Sequence, residues 1–298
     1  MSIPPEHAAV LAELGATGTP LGTGGEATVY VLDDERVVRI MHSGTPSARL
    51  EAAYRRWQAS APDIGVELPT LLATGRTGSR HWEIQHRIPG VEVSALLREL
   101  DPTDRAALLG EFLDVATRLG RIETAPTFST MLGDTRYDTW AECLMSRIGV
   151  SRTGYPAAWM AFGARVPELA ELLATWRDRL TGLYDGPARL VHVDYFPGNV
   201  LADLGADGRP RITGVLDYGS HSLYVDPLLD VVGAVAMTDM LSDVTPDEAT
   251  AVATRARSLV GPRWDEVESM YRAFYAFYYA MDEALLDWSE RQLRLALG

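Results

Sequence analysis

The sequence predicts an α+β fold of two unequal lobes, and three observations predict it. Short apolar runs bounded by turn residues crowd the first 90 positions, and helical spacing of apolar residues dominates the remainder of the chain. Between the two regions Pro89-Gly90 breaks both patterns. Strands first and helices after place the lobe boundary at that break, giving lobes of residues 1–89 and 90–298.

In chain order, "TVYVLD" and "RVVRIM" read as strands joined by the turn residues Asp33-Asp34-Glu35. Apolar residues three and four apart predict a helix over about 47–59, and two more strands fall near 69–74 and 81–88. Helices are expected near 93–99, 102–122, 137–148 and 156–183. A small β region over 190–216 interrupts them, and helices resume to the end.

At 298 residues and 47% hydrophobic content the chain can bury a large core. No apolar run approaches the roughly 20 residues of a membrane span, and "MSIPPEHAAVLAELG" lacks the basic and apolar segments of a signal peptide. A cytoplasmic protein is expected. Cys143 is the single cysteine and sits in a helical apolar pattern, which excludes a disulfide framework and favours plain packing. All 27 basic residues are arginine, and the net charge is −14, of which −12 falls on residues 90–298. Such a surface repels nucleic acid and anionic lipid and attracts cationic small molecules.

Chemistry concentrates in "LVHVDYFPGNVLAD". His192, Asp194 and Asn199 lie between two apolar runs, with Pro197-Gly198 bending the loop. A hydroxyl attacking a terminal phosphate needs a carboxylate to orient it and take its proton, plus hard oxygens for Mg²⁺. Asp194 fits the base and Asn199 one ligand, while His192 is expected to pin the loop backbone. In "ITGVLDYGS", Asp217 ends a strand and can project toward Asn199 as a second ligand. "LGTGGEATVYV" sets Gly22, Gly24 and Gly25 ahead of a strand, as in a hairpin whose N–H groups cover nucleotide phosphates. The third glycine of G-x-G-x-x-G is replaced by Ala27. In "RVVRIMHSG", Arg39 stands where the pattern V-A-I-K has its phosphate-binding lysine, and Glu51 on the next helix is its candidate partner.

With these elements in this order, the chain resembles the aminoglycoside phosphotransferase and choline kinase family of protein-kinase-like enzymes over nearly its whole length. "VHVDYFPGNVL" is similar to the family's H-G-D-x-x-x-x-N, and "GVLDYGSHSLYVDPLLDV" to its I-D-[FW] followed by G-D-P-x-x-D. "YDTWAECLMSRI" adds a faint likeness to the hygromycin B phosphotransferase branch. The resemblance implies a bilobal protein-kinase-like fold, with a small β-rich nucleotide-binding lobe and a larger helical one. It implies Asp194 as base, Asn199 and Asp217 on Mg²⁺, and Arg39 at the phosphates paired with Glu51. Asp226 and Asp230 would brace the catalytic loop, and backbone groups from His86 to Ile88 would meet the nucleobase. Val193 and Val225 replace family glycines, which is tolerable where their backbones need no positive φ.

The function expected is transfer of the γ-phosphate of ATP or GTP to a hydroxyl of a cationic acceptor, an aminoglycoside-like antibiotic or amino sugar. In "EVESMYRAFYAFYYAMDEALLDW", Tyr271, Phe274, Tyr275 and Tyr278 form a core stripe. Asp282, Glu283 and Asp287 come within about one and a half helical turns of one another and would hold ammonium groups. Trp140 either walls the acceptor site or joins the core. The alternatives are choline, a sugar or a macrolide as acceptor, and a non-catalytic pseudokinase-like protein that only holds a nucleotide.

Overall fold

The computed structural model of the protein describes residues 3–16, 18, 20–42, 48–60 and 62–297. Helix α1 (Pro5–Leu14) precedes strands β1 (Pro20–Thr23), β2 (Ala27–Val31) and β3 (Arg36–Met41). Helix α2 (Ala48–Ser60) is next, then β4 (Leu71–Thr77) and β5 (Arg80–His86). The five strands form one antiparallel sheet in the order β1-β2-β3-β5-β4. Alternation in β2 and β3 turns Tyr30, Val38 and Ile40 to one face, where Val10 and Leu11 of α1 cover them. The N-terminal lobe therefore carries a small core of its own.

Helix α2 does not share that core. Its buried residues Leu50, Ala53, Tyr54 and Trp57 pack into the large core of the C-terminal lobe. A polar knot fixes the attachment: Trp57 Nε1, Arg56 Nε and the Tyr224 hydroxyl all donate to Glu123, at 2.9, 3.0 and 2.8 Å. At Gly90, which follows the five-stranded sheet, φ is +115° and a Cβ would come within 2.5 Å of the Ala202 carbonyl oxygen. Only glycine fits there.

Beyond Gly90 come β6 (Val91–Glu92), α3 (Val93–Leu96), α4 (Pro102–Leu119), β7 (Phe128–Thr130), β8 (Arg136–Tyr137) and α5 (Trp140–Gly154). Next are α6 (Pro156–Arg165), α7 (Leu169–Leu180), β9 (Arg189–Val191), β10 (Val200–Leu204), β11 (Pro210–Val215) and β12 (Leu223–Val225). The chain closes with α8 (Leu228–Thr238), α9 (Pro246–Val260), α10 (Trp264–Tyr279) and α11 (Leu286–Leu297). Two small sheets, β11-β10-β6 and β8-β7-β12-β9, frame the loops between them. The result is the expected bilobal kinase-like architecture, a β-rich lobe beside a helical one. Among the described residues no helix is long and apolar enough to cross a membrane.

Three helical expectations change. The helix expected over 156–183 divides at Pro167, which has no N–H to donate and holds Val166 at φ −122°, ψ 82°. The helix expected from Tyr137 begins at Trp140, because Thr139 and Glu142 form a reciprocal capping box. The last helix stops at Tyr279: Asp282 caps a short turn by accepting from Ala284 N at 2.9 Å, and α11 starts afresh at Leu286. Tyr271, Phe274, Tyr275 and Tyr278 are all buried, and Trp140 joins them edge-on to Tyr271 at 5.6 Å. Trp140 is core. Burial pushes the Cys143 thiol up to about 12, so it is inert packing.

Burial alone would raise the Glu123 pKa, but Arg56, Trp57 and Tyr224 hold it below its ordinary 4.5. Its stabilising effect is therefore present above about 4.5 and lost as pH falls through the lower folded value. Glu123→Gln should cost about 2 kcal/mol at pH 7, and the gap from wild type should shrink in urea melts repeated below pH 4.

Candidate active site

Residues 192–199 leave β9 and reach β10 through a loop held on several sides. Asp230, buried on α8, accepts the backbone N–H groups of His192 at 2.7 Å and Val193 at 2.9 Å. His192 is fully buried, and its Nε2–H donates to the Leu216 carbonyl at 2.6 Å. Tyr195 stacks on Phe112 and donates its hydroxyl to the Phe112 carbonyl of α4 at 2.8 Å. Burial drives His192 down to about 4 and Asp230 up to about 7. Among the described residues Asp226 makes no hydrogen bond to the loop, contrary to the expectation from resemblance. It accepts from Leu228 N at the start of its own helix and from the Tyr271 hydroxyl.

Two residues carry a conformational strain here, Val193 at φ +71° and Asp217 at φ +62°. The condition on which Val193 was tolerable therefore fails: its backbone does need the left-handed region. A β-branched residue there costs about 1–3 kcal/mol, offset by burying its isopropyl group completely. Val225 lies in β12 opposite Arg189 and has no such strain.

The loop brings three oxygen-bearing side chains together. Strands β10 and β11 pair Val200 with Val215, and Leu216 N donates to the Asn199 carbonyl at 2.8 Å. That register sets Asn199 beside Asp217, although 18 residues separate them in sequence. Asn199 Nδ2 donates to the Asp194 carbonyl at 3.0 Å and to Asp194 Oδ2 at 2.9 Å. Its Oδ1 has no partner among the described residues. The Asp217 side chain is 51% exposed and points a carboxylate at the crease. An amide oxygen beside a carboxylate is a donor set that suits Mg²⁺, which keeps several waters. Among the described residues no group of three or more His, Cys, Asp or Glu is placed to hold a metal ion.

In the N-terminal lobe, Gly24 N donates to Ala27 O at 3.0 Å to close the hairpin. A Cβ on Gly22, Gly24 or Gly25 would meet no protein atom within 4 Å, and none of the three has positive φ. The protein's own packing does not demand glycine there; the missing side chains leave an open approach to the backbone. His42, which sequence reasoning passed over, donates from Nδ1 to the Gly25 carbonyl at 3.2 Å and accepts from Thr28 Oγ1 at 2.9 Å. Of the amides expected at the nucleobase, His86 N and Arg87 N already donate to Thr70 O and Glu35 O, whereas Ile88 N has no partner among the described residues.

The expected pair of Arg39 with Glu51 does not form. Arg39 lies opposite Glu83 in the β3–β5 ladder and binds it at 3.1 Å, with its other terminal nitrogen 3.9 Å from Asp217. Glu51 pairs with Arg55, one turn along α2, at 2.8 Å. The reason is packing: α2 commits its apolar face to the C-terminal core, and the Tyr54 hydroxyl bonds to the Tyr218 carbonyl at 3.4 Å.

Of the three expected acceptor carboxylates, at least one of which was expected to face the cleft, two have partners within the protein. Asp287 is ion-paired with Arg165, Asp282 is occupied by its cap, and Glu283 is exposed. Tyr279, the last residue of α10, is the missed residue, since its hydroxyl donates to Asp194 Oδ1. Sequence reading singled out Tyr271, Phe274, Tyr275 and Tyr278 of this helix and passed over Tyr279, although it lies at i+4 from Tyr275. Beside it, Arg147 sits 5.7 Å over the Tyr278 ring with no carboxylate in ion-pair reach among the described residues. An open depression of about 560 Å³, lined by Asp63, Glu67 and Thr213 among others, includes none of these groups.

Two substitutions on the sheet and helix α2 separate the alternative partners of Arg39. Glu83→Gln strands a buried guanidinium with only half-exposed Asp217 nearby and should cost about 3 kcal/mol, whereas Glu51→Gln should stay within about 0.5 kcal/mol, both read from chemical denaturation. Val193→Gly relieves strain while losing a buried side chain, so it should cost about 1–2 kcal/mol less than Val191→Gly, where only burial is lost.

Comparison with solved structures finds proteins of the same overall fold. A thermostable mutant of aminoglycoside phosphotransferase APH(4)-Ia, in ternary complex with AMP-PNP and hygromycin B, matches with TM-score 0.68 at 20% identity, over 98% of each chain. A gentamicin–APH(2")-IIa complex matches with TM-score 0.61 at 13% identity, covering 99% of this chain and 97% of the other. A GDP complex of an aminoglycoside 2'-phosphotransferase-IIIa mutant matches with TM-score 0.62 at 15% identity, over 97% and 94%. Sequence comparison with curated proteins gives no match. The sequence profile of the phosphotransferase enzyme family spans residues 17–268, and the chain belongs to that family.

Proposed function

We propose that the protein transfers the γ-phosphoryl group of a nucleoside triphosphate, ATP or GTP, to a hydroxyl of a small molecule. The observation that carries this reading is the convergence of Asp194, Asn199, Asp217 and Arg39 on one crease, from both lobes. Asn199 and Asp217 would hold Mg²⁺, which supplies charge neutralisation to the phosphates when bound. Arg39 and the open backbone of the glycine hairpin would meet phosphate oxygens, and Ile88 N–H the nucleobase. The acceptor hydroxyl donates to Asp194. Its oxygen bonds to the γ-phosphorus as the bond to the bridging oxygen breaks, the nucleoside diphosphate leaves, and the proton goes to Asp194 and then to solvent.

A cationic acceptor of the aminoglycoside kind is supported by the acidic C-terminal lobe and by the antibiotic complexes of structurally similar proteins. Asp282 and Glu283 come three and four residues after Tyr279 and are the carboxylates nearest to it in sequence. Arg147 favours a second reading, an alcohol that is neutral or carries an anionic group at that end. Thermal shifts with a panel of aminoglycosides and of neutral and anionic alcohols, each with and without Mg-nucleotide, separate the two. A pseudokinase-like role fits Arg39 and Ala27, but it leaves unused the Asp194–Asn199 bond and the neighbouring Asp217 carboxylate.

Asp194→Ala should lower phosphoryl transfer by roughly 10²–10⁴-fold with Mg-nucleotide affinity retained by calorimetry. Undiminished turnover in that variant would remove Asp194 from the chemistry.

A further inference from the structure

We infer that Tyr279 is a positioning residue for the base: its hydroxyl fixes the rotation of the Asp194 carboxylate and stays bonded to it through turnover. The inference rests on the reading of Asp194 as base and deepens it. Terminal torsions of aspartate are broad, so a carboxylate held at one oxygen is poorly aimed. Here each oxygen has its own donor from a different element, Tyr279 on Oδ1 and Asn199 on Oδ2. An ionised carboxylate offers about four lone-pair sites, so two donors leave room for an acceptor hydroxyl.

The Tyr279 ring is not free to leave. Tyr275 stacks on it at 6.2 Å and 16°, Tyr278 meets it edge-on at 5.2 Å, and Trp288 does so at 5.8 Å. Trp288 is itself buried and donates from Nε1 to the Ala236 carbonyl of α8 at 3.3 Å. Moving the hydroxyl off Asp194 would mean repacking α10 against α11 and α8. Burial and the neighbouring carboxylate also keep the phenol protonated, so it acts toward Asp194 only as a donor.

The test uses the full chain with MgATP and MgGTP, and water as the phosphoryl acceptor. Tyr279→Phe keeps the ring and removes only the donor. Single-turnover hydrolysis should slow about tenfold, with nucleotide Kd and Tm unchanged. Tyr275→Phe, which loses a hydroxyl bonded to the Leu229 carbonyl and does not touch Asp194, should keep the wild-type rate. An unchanged rate in Tyr279→Phe overturns the inference alone, provided Asp194→Ala is inactive. A faster rate overturns it as well and makes the hydroxyl a plug in the acceptor's place. Parallel losses of rate, Kd and Tm in both tyrosine variants reduce it to packing. A wild-type chain that binds nucleotide yet is no faster than Asp194→Ala removes the base and its positioning residue together.

Discussion

The site depends on one buried carboxylate that takes no part in the chemistry. Asp230 accepts two consecutive backbone N–H groups, and two adjacent amides can point at one side chain only if the chain between them turns sharply. That turn is completed by the positive φ of Val193, and it sends Asp194 out toward the crease instead of along β9. The strain at Val193 is offset by its complete burial, so one core position serves both packing and aim. Burial shifts the two titratable groups of this loop in opposite senses. Asp230, raised from 3.8 to about 7, stabilises the fold at low pH and loses that contribution as pH rises toward 7. His192, lowered from 6.5 to about 4, costs stability as pH falls through the same range. Across the shared window the slopes oppose, which keeps the loop's net dependence on pH shallow.

The lobes divide by packing, not by sequence order. Helix α2 belongs to the first 89 residues yet joins the C-terminal core, while α1 covers the small core of the N-terminal sheet. With α2 committed elsewhere, a glutamate on it could not serve as counter-charge for Arg39, and the cross-strand neighbour Glu83 takes that place. A cation and its partner on adjacent strands form a rigid unit whose geometry does not depend on how the lobes sit. Gln85 donates to the same Glu83 oxygen at 3.0 Å and stiffens it further.

Much of this was legible in the residues. The apolar alternation around Val38 and Ile40 located the sheet, and the His192–Asn199 spacing located the loop, because each signal is local and periodic. The Thr139–Glu142 capping box and Pro167 were equally local, and both mark helix ends that apolar periodicity alone overruns. What could not be seen was which surface each helix faces. The Glu51 and Asp287 expectations failed for that reason: both carboxylates are where the chain order puts them, but packing turns them to Arg55 and Arg165. Tyr279 failed in the opposite way. It lies at i+4 from Tyr275 but was not singled out, and only the three-dimensional meeting of α10 with the His192–Asn199 loop reveals that its hydroxyl reaches Asp194.

The end of α10 also bears on what the acceptor can be. Global charge draws cations toward the C-terminal lobe, but long-range attraction sets encounter, not fit. Fit is set by groups around Asp194: Tyr279 reaches it, and over the ring of the adjacent Tyr278 stands Arg147, a cation with no carboxylate in ion-pair reach among the described residues. An ammonium group bound at that end would face like charge across aromatic rings. On the proposed reading, a cationic acceptor would present its hydroxyl to Asp194 with its ammonium groups held away from Arg147, whose guanidinium lies 5.7 Å over the Tyr278 ring.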